Sequence, residues 1–253
     1  MYAAERQQEI LRLAHESGRV DVLSLAEEFG VTAETVRRDL KALGRAGLVH
    51  RVHGGAIPAG RLDFELDLAE RDAVASDEKD RIARAALDEL PADRSVIIDA
   101  GTTSARLAAA IPVDSTVTVV THALPVAARL ADHPGIALHL VGGRVRHRTR
   151  AAVDAWALRA YGEINADVVF LAANGFSTGG GLTTPDLAEA AVKRAIIAAA
   201  RRVVLLADSS KFGKEHFGRF GDLTHVDLLI TDTGLSAEDA RSIEEQGTEV
   251  VRA

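Results

Sequence analysis

From about residue 95 to the last residues, the chain repeats one alternation: a short unbroken run of β-branched and leucine residues, a polar or glycine-bearing turn, then a helical segment. The apolar runs cover residues 96–98, 117–120, 136–141, 168–172, 203–206, 226–230 and 249–251. Strands apolar on both faces must be covered on both faces, and strands joined through helices pair in parallel. The pattern therefore predicts an α/β domain built on a mostly parallel sheet. In such sheets ligands bind beyond the carboxyl ends of the strands.

The polar residues collect at those ends. After the first run stand Asp99, Gly101, Thr102 and Thr103; after the second, Thr121 and His122; after the third, Gly142 and Gly143. Gly175 follows the fourth run, Thr183 lies in the glycine-rich stretch 179–184, and Lys211 follows the fifth. Gly101 permits close backbone approach, and the helix after it offers free N–H groups and a positive dipole end. With two threonine hydroxyls this makes a cradle for phosphate. Any one of these loops is equally a well-capped turn; the convergence of several points to a pocket. Arg144, Arg146, Arg148 and Arg150 recur with period two, and Arg146 is a candidate to reach a bound anion, although a solvated or subunit-facing ribbon fits as well. Lys193 is another cation near the site, or an i,i+4 partner of Glu189. Lys211 is the stronger phosphate candidate.

The first 57 residues follow a different period. Ile10, Leu11, Leu13 and Ala14 give a short helix an apolar stripe that Gly18 ends. Asp21 fits an N-cap before Val22, Leu25, Ala26 and Phe29, and Gly30 closes that helix. Thr32 fits a second N-cap. In the helix that follows, over 33–43, Val36, Leu40 and Leu43 face inward, which leaves Glu34, Arg37, Arg38 and Lys41 outside. Two short helices around residues 30–32 have helix-turn-helix spacing, with the later helix as reader. Residues 48–53 then alternate with period two before Gly54-Gly55 and Ala56-Ile57, a hairpin or wing. Thr32, Thr35, Arg37 and Arg38 are placed to meet base edges or flanking phosphates; Lys41, His50, Arg51 and His53 to hold the DNA backbone. A protein-interaction module with solvated arginines is the alternative.

Charge supports the first reading. Residues 1–61 hold nine Arg+Lys and eight Asp+Glu, whereas 62–253 hold 21 and 29. Within 35–61 Asp39 is the sole acid among six basic residues. A polyanion would be drawn to one short segment and repelled by the rest. Residues 58–76, opened by Pro58 and Gly60 and rich in acids, read as a linker between a domain at 1–57 and another at 77–253.

Other classes lack their signatures. No run of some 18 apolar residues spans a membrane, and the acidic start has no apolar signal core, so the expected location is the cytoplasm. Zero Cys removes disulfides and thiolate chemistry. There is no G-x-G-x-x-G after the first strand, no phosphate-binding G-x-x-x-x-G-K-[ST] and no G-x-S-x-G elbow. His50 and His53 lack a third metal ligand. No cofactor is expected.

The segment VTAETVRRDLKALGRAGLVHRVHGGAI strongly resembles the N-terminal signature of the DeoR family of bacterial transcriptional regulators. A T-[IV]-R-R-D-L core matches at 35–40 and an R-x-H-G-G wing at 51–55. The later half is also similar to that family, through Asp99-x-Gly101-Thr102-Thr103, Gly142-Gly143, Gly181-Leu182-Thr183 with Glu189-Ala190-x-Val192-Lys193, and residues 206–213. The resemblance implies a winged helix-turn-helix on operator DNA and a sensor domain related in fold to ribose-5-phosphate isomerase. It implies a sugar-phosphate effector and a homo-oligomer acting on double-stranded operator DNA. RLDFELDLAERD, residues 152–158 and GLTTPDLAEAAVKRA look most like an actinobacterial branch associated with fructose uptake, which makes fructose 1-phosphate the expected effector. Two positions depart from the family pattern: His122 where Asn is usual, introducing a charge that varies near neutral pH, and Asp154 where many members have Gly. The expected function is a repressor of a sugar-utilisation operon relieved by a phosphorylated sugar. The alternatives are a sugar-phosphate isomerase carrying a DNA-binding domain, with Asp99, Asp208 or Glu189 as base, and a scaffold that binds no DNA.

Overall fold

Helix caps organise the N-terminal part. In the computed structural model, which describes residues 2–17, 19–52, 54–58 and 67–253, α1 (Ala3–Ser17) is followed by β1 (Val20–Asp21), α2 (Val22–Phe29), α3 (Ala33–Arg45), β2 (Val49–Val52) and β3 (Gly55–Pro58). The Asp21 carboxylate accepts from the N–H groups of Leu23 (2.9 Å) and Ser24 (3.2 Å), and Thr32 Oγ1 from that of Thr35 (3.2 Å). Each bond satisfies a donor the helix cannot satisfy itself. Gly30 ends α2 in the left-handed conformation, φ 62°, which it adopts without the steric penalty of a side chain. Ile10, Leu25, Val36, Leu40 and Leu43 form the core, each worth about 1.5–3 kcal/mol on burial.

The wing is larger than a hairpin. β2 and β3 pair antiparallel with Arg51 opposite Ala56. On the other edge of β3, β1 adds a third strand, Val20 also opposite Ala56. Two residues are too few to show a period, so sequence pattern could not reveal that strand. Gly18, His53 and residues 59–66, among them Arg61, Phe64 and Leu66, lie outside the described residues, as does the side chain of His50.

The chain divides into two compact units, Met1–Leu66 and Asp67–Ala253. The second contains α4 (Leu68–Ala73), α5 (Ser76–Ala85), β4 (Ser95–Ile98), α6 (Thr102–Ala110), β5 (Val117–Thr121), α7 (Leu124–Leu130) and β6 (Ile136–Leu140). A ribbon of β7 (Arg144–Val145) and β8 (Ala152–Val153) leads to α8 (Ala155–Tyr161) and β9 (Ala166–Ala172). Then come β10 (Gly175–Ser177), β11 (Gly181–Thr184), α9 (Leu187–Ala198), β12 (Ala200–Leu206), β13 (Gly218–Gly221), β14 (Leu228–Thr231), α10 (Ala237–Glu244) and β15 (Glu249–Arg252).

Seven strands form one parallel sheet in the order β15-β14-β12-β9-β4-β5-β6. Alternate residues of each strand enter opposite cores. Ile97, Val169 and Leu205 pack with α8, α9 and α10; Val96, Phe170 and Val204 pack with α5, α6 and α7. This double coverage explains the unbroken apolar runs. From β4 the chain builds outward to β5 and β6, then returns to β9 and builds the other way. The topological switch point therefore lies between β4 and β9.

Three expectations are corrected. Residues 67–76, read as linker, are folded: Asp67 and Glu70 form a capping box at the start of α4, and Arg106 of α6 grips Asp72 (3.0 Å) and Asp80 (2.6 Å). The glycine-rich stretch after β9 is not all loop, since β10, β11 and β13 make a small antiparallel sheet. The arginine ribbon does not extend with period two, because the backbone turns at 147–149. Among the described residues no helix is long and apolar enough to cross a membrane.

Candidate functional site

Two surfaces carry chemistry, one in each unit. In the first, Arg37, Arg38 and Lys41 stand exposed on the outer face of α3, opposite its buried residues. Thr32 and Thr35 share a hydroxyl contact of 2.9 Å at the helix start. Arg37 also lies 3.5 Å from Glu34, an exposed pairing that a phosphate or base would readily displace. Arg51 is exposed on β2. Asp39, the one acid of the basic segment, is turned inward. It takes Arg6 Nε at 2.6 Å and Gln7 Nε2 at 3.0 Å, which ties α1 to α3. The outer face is consequently more basic than composition indicates.

In the second unit a cleft of about 310 Å³, open to solvent, lies where β4, β9 and β12 end. One wall is the start of α6, formed by Gly101, Thr102 and Thr103. The next amide, of Ala105, already bonds Gly101 O, so the N–H groups of residues 102–104 have no partner in their own helix. Ser104 Oγ, buried in the same turn, has no hydrogen-bond partner among the described residues. A side chain at Gly101 would place its Cβ 3.0 Å from that of Ala172, so glycine is what lets β4 and β9 close this end. Arg71, Lys79 and Lys211 line the cleft against one carboxylate, Asp208. Burial lowers Lys79 and Lys211 to about 8, and Asp208 opposes the shift in both. Burial lowers Lys214 too. Cations held this way, in a unit that is acidic as a whole, gain from an anion that replaces lost solvation.

A buried polar network occupies neighbouring strand ends. Asp99 Oδ2 accepts from the Ala172 N–H at 2.9 Å and from Lys193 Nζ at 2.5 Å; Lys193 also donates to Ala172 O at 2.8 Å. His122 Nε2 stands 3.6 Å from Asp99 Oδ1, and its Nδ1 shares a hydrogen bond of 2.9 Å with the Tyr161 hydroxyl. Burial pushes His122 below its ordinary value and Tyr161 well above its own. This corrects the idea of a charge varying near neutral pH: His122 is a neutral member of the core. Glu189 accepts from Arg146 Nη1 at 2.7 Å and from Thr149 Oγ1, and Arg146 also meets Asp186 at 3.2 Å. Burial would raise Glu189, but Lys193, Arg146 and these bonds outweigh it and hold the group below the ordinary carboxylate value.

The expected effector residues therefore separate. Gly101, Thr102, Thr103 and Lys211 line the cleft. Asp99, His122, Lys193 and Arg146 join in the network, where Lys193 bonds Asp99 rather than pairing simply with Glu189. Gly142 and Gly143 follow the edge strand β6, and Gly143 packs on the Val153 backbone. Gly175 and Thr183 face each other across β10 and β11, Thr183 Oγ1 donating to Gly175 O at 3.1 Å. Those four are absent from the cleft wall. Arg71, Lys79 and Asp208 were missed as wall residues; the first two stood in or beside the supposed linker. The family-pattern departure Asp154 has φ 76° and ψ −167°, a region almost reserved for glycine, with its carboxylate 2.6 Å from Arg144 Nε. Among the described residues no group of three His, Asp or Glu is arranged to hold a metal ion.

A winged helix-turn-helix followed by an α/β unit with a cation-lined cleft at its switch point is the layout of a ligand-responsive transcriptional regulator. The comparisons make the class specific. Residues 6–59 match the DeoR-like helix-turn-helix domain and residues 74–233 the DeoR C terminal sensor domain, and the chain belongs to the DeoR family. It is 37% identical over 251 residues to the HTH-type transcriptional regulator GlpR of Haloferax volcanii, covering 99% of this chain and 98% of that protein. With the glycerol-3-phosphate regulon repressor of Escherichia coli K12 it shares 33% identity over 233 residues, 92% of each chain. Among solved structures, ribose 5-phosphate isomerase A of Methanocaldococcus jannaschii aligns with 55% of each chain at 15% identity and a TM-score of 0.41.

Proposed function

We propose that the protein is a repressor of a sugar-utilisation operon whose hold on operator DNA is changed by a phosphorylated sugar or polyol. Arg37 and Arg38 read or flank bases, with Thr32 and Thr35 at the helix start. Lys41, Arg51, His50 and His53 hold the DNA backbone. One reading helix covers few base pairs, so the active species is a homo-oligomer on repeated half-sites. The effector's phosphate sits at the start of α6, on the 102–104 amides, Lys79, Lys211 and Arg71. Fructose 1-phosphate is the compound to test first, on the sequence resemblance, with glycerol 3-phosphate beside it because of the relative named for that regulon.

The observation that carries this reading is the convergence of three cations on an unpaired helix start inside an otherwise acidic unit. An isomerase would want a carboxyl group poised near neutral pH. Glu189 is held in the opposite direction, and Asp99 is committed to Lys193 and backbone amides. The test is thermal unfolding of the full chain with a panel of sugar phosphates and their parent sugars. A ligand at a hundredfold its Kd adds about 2.7 kcal/mol. Stabilisation by a phosphorylated member and not by its parent supports the proposal; no response across the panel, or equal response to the parent sugar, counts against it.

A further inference from the structure

The helix that opens the sensor unit is attached without burying any residue. None of α4's side chains is buried. What holds it is polar: Lys79 Nζ of α5 donates to Arg71 O and, at 2.5 Å, to Val74 O, carbonyls at the end of α4. Arg106 of α6 bonds Asp72 Oδ1 and Ser76 Oγ, both at 3.0 Å, across the α4–α5 turn. That turn passes through Ala75 with φ 52°, a left-handed conformation unfavourable for alanine. Lys79 is 2% exposed, and among the described residues it makes no hydrogen bond to a carboxylate. The same Lys79, and the Arg71 side chain carried by α4, face the cleft beside the start of α6.

We infer that α4 is an anion-dependent latch: an anion seated on the first turn of α6 is bridged by Lys79 and Arg71 to α5 and α4, so occupancy of the cleft sets how firmly α4 is docked. This rests on the proposed anion site and adds a direction to it. An ammonium has three donors, and two of Lys79's go to α4 carbonyls. An anion meeting the same ammonium supplies the missing counter-charge without breaking those bonds. The Arg71 guanidinium adds a tether from α4 itself, able to grip a phosphate by two N–H groups. In chain order α4 is the first element after the DNA-binding unit, so its docking is a route by which a small anion biases that unit.

Amide hydrogen exchange of the full chain tests the latch, with inorganic phosphate as probe against chloride at equal ionic strength. A polar-tethered helix belongs among the easily opened elements, and its exchange reports that opening. The expected result is slower exchange in phosphate at residues 102–105 and, by about fivefold or more, at 68–75. In Arg71→Gln, phosphate still slows 102–105 while the effect at 68–75 is lost. Protection at 102–105 with none at 68–75 in the wild type overturns the latch and leaves the anion site standing. An unchanged response at 68–75 in Arg71→Gln removes Arg71 from it. No response in either segment overturns both the site and the latch.

Discussion

Replacing Asp154 by glycine is expected to stabilise the sensor unit. At φ 76° and ψ −167° the residue lies in a region that costs a side-chain-bearing residue on the order of 1–3 kcal/mol. Glycine removes that cost but gives the unfolded chain extra freedom, a loss of about 0.4–1 kcal/mol. The ion pair with Arg144 also goes, but both side chains are largely exposed, at 61% and 44%, so screening makes its loss small. Asp154 makes no capping hydrogen bond to α8, so no cap is sacrificed. The net gain is roughly 0.5–2 kcal/mol, which in a unit spanning Asp67–Ala253 raises its melting temperature by about 2–6 °C. Calorimetry on Asp154→Gly and Asp154→Ala separates the causes, because alanine loses the same ion pair but keeps the strain. Glycine raising Tm with alanine at or below wild type is the expected outcome. Equal melting of the two variants would refute backbone strain as the reason.

Further outcomes follow from the same structure. Arg37→Ala is expected to weaken binding to a duplex selected by the wild-type protein by about 1–3 kcal/mol at fixed salt, read by gel shift; unchanged affinity removes Arg37 from the reading surface. Asp39→Ala strands the buried Arg6 guanidinium and should destabilise the first unit by about 3–5 kcal/mol, seen in denaturant titration; a loss below about 1 kcal/mol denies the α1–α3 clamp its role. Lys79 and Lys211, at about 8, bind fewer protons folded than unfolded between there and their ordinary 10.5. Below pH 8 both states are protonated and the full cost of burying the cations is present; it is relieved as pH rises through that window, so these groups make stability increase with pH. A bound anion reverses the shift, so calorimetry in buffers of different ionisation heat should show more proton uptake at pH 8.5 than at 7.5. Uptake that is absent or smaller at the higher pH contradicts contact with these lysines.

What the sequence made legible was local. Asp21, Gly30 and Thr32 announce their caps because each acts on a backbone group within three residues. The sheet strands announce themselves because burial on both faces leaves no polar position in them. The first turn of α6 was readable as an anion cradle for the same local reason. Contacts between distant segments were not readable. β1 is two residues long and pairs with a strand more than thirty residues away. Lys193 looked like a helical partner of Glu189, yet its ammonium reaches Asp99, ninety-four positions back. Arg71 and Lys79 were hidden by composition: a helix without buried residues, held by polar bonds, has the same polar sequence as a linker. The acid in the reading helix misled in the opposite way, since nothing local shows that Asp39 turns inward to Arg6.

The division of labour between the two units is tested most directly by fluorescence anisotropy of a labelled duplex, selected by the full chain, titrated with that chain in the presence of the sugar phosphate that stabilises it most. Sensing in one unit and grip in the other predict a change in duplex affinity of about 5–150-fold, abolished in Lys211→Ala and absent with the parent sugar. Affinity that stays the same while the ligand demonstrably occupies the protein would contradict the account.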